Sequence, residues 1–264
     1  MSVELSKAEP PVVFDLGTGS RTLGETLAGT AAFPHAGRGG TAGPSYLLSC
    51  LVTHLHFDHL QGLPFFLPAI TSGVHLDLYA PAQDGPSLEK ALDGFIRPPY
   101  FPVGLDGLGA ELEFHELGDG SVLELRGGAR VTARQVPHRG PTLGYRLEAA
   151  GLAIAYLSDH QAPSAGSGAV GAAALELADG VDLLIHDAQY TPAEFAAKSY
   201  WGHSTPGYAL EVAKAAGAKR LALFHHDPTH SDDKLDQLGE EAASLAGSLL
   251  DVLVAADGLA LRLG

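Results

Sequence analysis

His54-Leu55-His56-Phe57-Asp58-His59 comes one residue after the run Tyr46-Leu47-Leu48-Ser49-Cys50-Leu51-Val52. The run is almost wholly apolar and short, and reads as a buried strand. The six residues beyond it put three imidazoles and a carboxylate at the strand's mouth. Where a strand runs out into a loop, residues two apart face the same way. His54 and His56 can therefore serve one cation, while the turn that follows swings Asp58 and His59 toward a second. Imidazole and carboxylate without thiolate suit zinc, manganese or iron better than copper(I) or an iron–sulfur cluster.

Composition bounds the setting. With 264 residues, 45% of them hydrophobic, the chain can bury a proper core, and a single domain over residues 1–264 is expected. No apolar stretch reaches the roughly 18 uncharged residues of a membrane span, and residues 1–10 lack the basic and apolar regions of a signal peptide. A soluble, cytoplasmic protein is the expectation. The one cysteine, Cys50, excludes an internal disulfide and sits where a small buried hydrophobe belongs. Lys and Arg number 16 against 31 Asp and Glu, a formal net charge of −15, and only Lys219-Arg220 are adjacent basic residues. Such a field repels a long nucleic acid, while bound cations would admit a small anionic substrate. The expected partner is that small substrate, with no membrane and with a homodimer left open.

Strands and helices alternate along the chain. Residues 12–15 read as a strand entering the glycine turn Leu16-Gly17-Thr18-Gly19, and residues 24–44 as a loop. Residues 63–70 read as a short helix interrupted by Pro64 and Pro68, 74–79 as a strand and 88–96 as a helix. The segment 97–102, rich in proline, reads as a surface loop, either a lid or a connector packed on the core. Strands are expected at 129–136, 142–148, 152–157, 181–185 and 221–224. Thr205 caps a helix with Pro206 at its first position, and Gly217 ends it. Another helix starts at Ser231, with Leu235, Leu238, Ala242 and Leu245 as its apolar face. Strands grouped in both halves, with helices between, predict an α/β chain of two sheets stacked face to face with helices outside.

The remaining polar residues fall at strand ends. His138 closes one strand through Pro137, Asp159 closes another through Ser158, and His225 closes 221–224. Edges of this kind converge, so distant residues can complete one coordination set. The expected ligands are His54, His56 and His138 for one ion, Asp58, His59 and His225 for the other, and Asp159 as a bridge. His186-Asp187 ends a strand at the same edge and is assigned a supporting role behind the ligands. His35, His75, His115, His160 and His230 have no spacing that suggests ligation.

This ordered set resembles the metallo-β-lactamase fold superfamily, from about Val12 to a final strand near Leu263. The resemblance implies a four-layer αββα sandwich of two mixed β-sheets flanked by helices. Asp58-His59-Leu60-Gln61-Gly62-Leu63, Gly202-His203-Ser204-Thr205 and Leu221-Ala222-Leu223-Phe224-His225 resemble the ribonuclease Z and phosphodiesterase branch. That likeness implies His203 as an extra catalytic histidine near a scissile phosphate, and Asp15 as a carboxylate that orients the histidine loop. Few residues precede Asp15, so an abbreviated N-terminal edge is expected. His226-Asp227-Pro228-Thr229-His230 stands where tRNA-processing members carry serine and arginine, and no basic insertion offers a tRNA-gripping arm. Oxygen-reducing di-iron members carry glutamate where His56 stands, and Cys50 lies before the cluster, which disfavours a cysteine-ligated β-lactamase. The implied function is a dinuclear zinc or manganese hydrolase acting on a small phosphodiester. In it Asp159 bridges two ions that hold a hydroxide, Asp58 orients or deprotonates the water, and a protonated His203 stabilises the transition state or donates a proton to the leaving alkoxide. Thioester or lactone hydrolysis, and a non-catalytic metal-stabilised scaffold subunit, are the competing readings.

Overall fold

The computed structural model describes residues 1–5, 9–34, 46–163 and 170–264, so residues 35–44 of the expected 24–44 loop, His35 included, lie outside the described residues. The chain forms two compact units, Met1–Leu117 and Gly118–Gly264. No helix among the described residues is long and apolar enough to cross a membrane.

The first unit is built on a five-stranded sheet: β1 (Ser2–Val3), β2 (Val12–Phe14), β3 (Tyr46–Leu51), β4 (Val74–Pro81) and β5 (Glu111–Leu117), in that spatial order. Only the β1–β2 pair is antiparallel. Strand β1 has only two residues. One face of β3 and β4 carries Leu48, Cys50, Leu76 and Leu78 into a core with Leu27, Leu63, Phe66, Leu88 and Leu92. Cys50 is fully buried and its thiol pKa is pushed up by desolvation, as befits a small hydrophobe.

Helix α1 (Ser20–Ala28) corrects the loop expected from residue 24. Gly24 suggested a loop, but here it serves packing: a Cβ would fall 2.8 Å from the Leu67 backbone nitrogen. Residues 63–70 form two short 3₁₀ turns, Leu63–Phe65 and Leu67–Ile70, each with proline near its start, rather than one interrupted helix. Helix α2 (Leu88–Asp93) is capped by Ser87 and stops earlier than expected. In the segment 97–102, Phe101 packs on the core and meets the Phe65 ring at 5.8 Å, while the other five residues are exposed.

The second unit carries a seven-stranded sheet of β6 (Val122–Glu124), β7 (Arg130–Gln135), β8 (Leu143–Ala149), β9 (Leu152–Leu157), β10 (Leu183–Asp187), β11 (Arg220–Phe224) and β12 (Asp251–Val254), in the spatial order β12-β11-β10-β9-β8-β7-β6. Strands β6 to β9 form an antiparallel meander, and β9 to β12 run parallel. The central strands are buried nearly throughout, as a parallel sheet covered on both faces requires.

Its helices are α3 (Ala172–Ala178), α4 (Pro192–Lys198), α5 (Pro206–Ala216) and α6 (Asp232–Ala246). Helix α5 begins and ends as its sequence dictates: the Thr205 side chain accepts from the Tyr208 N–H, and Gly217 takes φ 67°. In α6 the buried stripe is Leu238, Ala242 and Ala246, whereas Leu245, expected on that face, is 68% exposed. A 3.6-residue period carries the stripe from 242 to 246, one position past 245. The last strand is β12, and the strand expected near Leu263 does not form. Two mixed sheets with flanking helices make the chain α/β.

Candidate metal centre

In the first unit the chain leaves β3 with Val52 donating to the Tyr79 carbonyl, and Thr53 and His54 follow, both buried. The His54 ring packs against His56 and His59 at centroid separations of 4.3 and 4.2 Å. Asp58 is half exposed, its Oδ2 3.2 Å from His59 Nε2. Asp15 stands behind this cluster at the end of β2, in the left-handed region at φ 55°. Its Oδ2 lies 3.0 Å from His59 Nδ1, and its Oδ1 accepts the Thr53 N–H at 2.8 Å and the Thr53 hydroxyl at 3.0 Å. Burial opposes the charged form of Asp15, yet the His59 charge and these bonds prevail and hold its pKa below the ordinary value.

Two glycines seat the histidine loop on the β2–α1 turn. A Cβ on Gly17 would fall 2.5 Å from the Asp58 carbonyl oxygen, and one on Gly62 would fall 2.0 Å from the Gly17 carbonyl oxygen. Backbone bonds from Leu16 to His59 and from Gly62 to Leu16 complete the junction.

In the second unit β7, β9, β10 and β11 all point the same way, so His138, Asp159, Asp187 and His225 gather at one sheet edge. Asp159, 2% exposed, presents Oδ1 to three imidazoles: His225 Nε2 at 3.2 Å, His138 Nε2 at 3.7 Å and His203 Nδ1 at 3.7 Å. His138 Nδ1 lies 2.6 Å from the Gly202 carbonyl oxygen. A carbonyl only accepts, so Nδ1 carries the proton and the lone pair sits on Nε2, the tautomer a metal ligand needs. Gly202, at φ 96°, permits this approach, since a Cβ there would fall 2.7 Å from that nitrogen.

The carboxylate of Asp187 is fully buried and holds His203 from behind, Oδ2 to Nδ1 at 2.8 Å, while Oδ1 accepts the Ser204 and Gln189 N–H groups at 3.0 Å. Burial works against its charge, but the His203 bond and charge outweigh that and keep its pKa low. His186 does not touch the ligands directly. Its Nδ1 donates to the Asp187 carbonyl at 2.7 Å, and its Nε2 meets His160 Nδ1 at 2.9 Å. Desolvation lowers the pKa of both imidazoles, His160 to about 3, so both are neutral. The sequence reading passed over His160, although its place beside Asp159 was the available signal. It likewise passed over Thr53, which directly precedes His54.

His225 has φ 54°, an uncommon backbone for a residue with a side chain. The neighbouring His226 turns to the Ala255 carbonyl at 3.2 Å. The loop after His225 is fastened to α4. Asp227 takes the Thr229 N–H and hydroxyl on Oδ1 and Lys198 on Oδ2, and His230 Nε2 meets Glu194 Oε1 at 2.9 Å. Glu194 also closes the capping box of α4 with Thr191. Burial disfavours its charge, but the bonds from His230 and Thr191 win and take its pKa down to about 2. A depressed carboxylate pKa stabilises the fold above its ordinary value of 4.5, and that contribution fades as pH falls toward 2. Glu194→Ala should therefore lower unfolding free energy by about 1–2 kcal/mol at pH 7, cap and solvent-screened pair together. In urea titrations at stepped pH the deficit should shrink below pH 4.5. A deficit independent of pH would reduce the residue to a cap.

Both donor sets fit divalent cations. Imidazoles with carboxylates alongside and no thiolate are the ligands of zinc or manganese. Residues 27–226 match the family model described as beta-lactamase superfamily domain. Ribonuclease Z of Brevibacillus brevis is 28% identical over 261 residues, 81% of this chain and 79% of that protein. Among solved structures, the metallo-beta-lactamase fold protein YhfI from Bacillus subtilis superposes with a TM-score of 0.66 at 18% identity, covering 96% of this chain and 87% of its own. Zn(2+)-bound PqqB from Methylobacterium extorquens gives 0.67 at 19% identity, covering 99% and 86%. A family match over most of its length, histidines and aspartates at its strand ends and this shared fold place the chain in the beta-lactamase superfamily, with the metallo-β-lactamase fold and with similarity to ribonuclease Z.

Proposed function

We propose that the chain is a dinuclear metal-dependent hydrolase that cleaves a small phosphodiester, its two units acting as one catalytic domain. The observation that carries the reading is the pair of buried carboxylates, Asp15 and Asp187. Each engages Nδ1 of a histidine, His59 or His203, and so commits Nε2 to chemistry. His54, His56 and His138 would hold one ion, Asp58, His59 and His225 the other, with Asp159 shared. Bound there, the ions supply Lewis acidity toward a phosphoryl oxygen and lower the pKa of water to about 7.

The protein's own groups do the rest. Asp58, half exposed beside His59, orients the attacking water and accepts its proton. His203, pinned by Asp187, donates from Nε2 to the departing oxygen. The name of the Brevibacillus relative refers to RNA. Here the net charge of −15 and the scattered basic residues favour a small diester over a long polyanion. Zinc is the first choice of metal, on the donor chemistry and on the zinc held by PqqB.

Hydrolysis of bis(p-nitrophenyl) phosphate by zinc- or manganese-loaded protein is the test. Turnover at least about 10³-fold above the chelated form is expected, within the range that metal activation supplies. Fully loaded protein that leaves the diester intact would reject the assignment and redirect the search to thioesters and lactones.

A further inference from the structure

Strands β4 and β5 carry another group of metal-binding side chains. Along β4, Leu76 and Leu78 enter the core while His75, Asp77 and Tyr79 share the opposite face. The parallel register sets His75 opposite Glu111, Asp77 opposite Glu113 and Tyr79 opposite His115. His75 Nε2 lies 3.3 Å from Asp77 Oδ1 and 3.4 Å from Glu113 Oε2. His115 Nε2 lies 3.0 Å from the same Asp77 oxygen, and His115 stacks on Tyr79 at 4.4 Å, which fixes its ring. Glu111 Oε2 is 3.4 Å from His75 Nδ1.

These spacings are informative. A charge-assisted bond between imidazole and carboxylate closes to about 2.7–2.9 Å, and the His75 contacts are longer. Ligand atoms at zinc distances of 2.0–2.2 Å, set at tetrahedral angles, stand about 3.3–3.6 Å apart. The donor atoms of His75, Asp77 and Glu113 all lie within 4.8 Å of one another. Three carboxylates face two imidazoles, and among the described residues no lysine or arginine pairs with Asp77, Glu111 or Glu113. The His75 side chain is only 13% exposed, so its nitrogens are held in a largely desolvated position between the acids.

We propose that His75, Asp77 and Glu113, with His115 beside Asp77, form a binding site for one divalent transition-metal ion, zinc foremost, apart from the hydrolytic donors. Such an ion ties the edge strand β5 to β4, and it stabilises the fold in proportion to its occupancy. It neutralises charge on a strongly acidic chain and takes no part in the chemistry proposed above.

The test is zinc content after equilibrium dialysis against buffered micromolar free zinc, for the full chain and for Asp77→Asn and His75→Gln. One ion fewer per chain in each variant is expected, with hydrolysis of the diester unchanged. The reading is a difference, so it holds whatever number of ions the other centre binds. Equal zinc in wild type and variants overturns the site. A second measurement needs no variant: zinc added to wild-type protein should displace the imidazole ¹⁵N resonances of His75 and His115. Resonances that stay put while zinc binds elsewhere would also overturn it.

Discussion

His203→Ala should lower kcat for bis(p-nitrophenyl) phosphate by about 10²-fold and for an alkyl-leaving diester by up to about 10⁴-fold, with zinc content unchanged. The geometry sets this expectation. His203 is 8% exposed, its Nδ1 is bound to Asp187 at 2.8 Å, and Asp187 is itself fixed by the backbone N–H groups of His160, Gln189 and Ser204. The ring therefore cannot turn away, and the depressed pKa of Asp187 keeps a negative charge behind it to support an imidazolium. A p-nitrophenolate leaves readily without a proton, whereas an alkoxide does not. A larger loss with the poorer leaving group marks a general acid. Equal losses with both substrates would mean His203 only stabilises charge. Loss of zinc would make it a ligand, a role its 3.7 Å approach to Asp159 leaves to experiment.

How much of this was legible in sequence varies with the kind of constraint. The β3 strand, the capped helices α5 and α6 and the positions of His138, Asp159 and His225 just past strand ends were readable, because local pattern and tertiary placement coincide there. The 20–28 helix was half lost, because Gly24 answers to a neighbouring backbone that no local pattern reveals. Strand β5 was missed although Glu111-Leu112-Glu113-Phe114-His115-Glu116-Leu117 alternates, since its charged face disguised an edge strand. Helix α3, Ala172–Ala178, is short and lacks a side-chain cap, so it offered no start signal. His160 looked like a bystander. Its burial follows from the β9–β10 register, which sets Leu157 beside His186 and so carries His160 against the His186 ring. Pairings of that sort are long-range, and a one-dimensional reading has no access to them.

Asp15→Ala should lower the zinc affinity of the histidine cluster by about 10–100-fold and destabilise the fold by about 3–5 kcal/mol. The carboxylate does two jobs from one buried position. It fixes the His59 tautomer through Nδ1, and it satisfies the Thr53 N–H and hydroxyl, which lie directly before His54. Alanine strands those donors and leaves a residue with little tolerance for φ 55°. Asp15→Asn separates the effects. Asparagine tolerates the left-handed backbone and can keep the Thr53 bonds, but it brings no charge to His59. It should recover most of the stability and little of the zinc affinity, read by competition with a chromophoric chelator and by urea unfolding at pH 7. The native pKa of Asp15 lies below its ordinary 3.8, so its stabilisation is complete above that value and is lost as pH falls through the native pKa. Wild type and Asp15→Asn should therefore converge in acid. If Asp15→Ala binds zinc as tightly as wild type, the carboxylate holds only the backbone, and orientation of the cluster must rest on the glycine junction of Gly17 and Gly62.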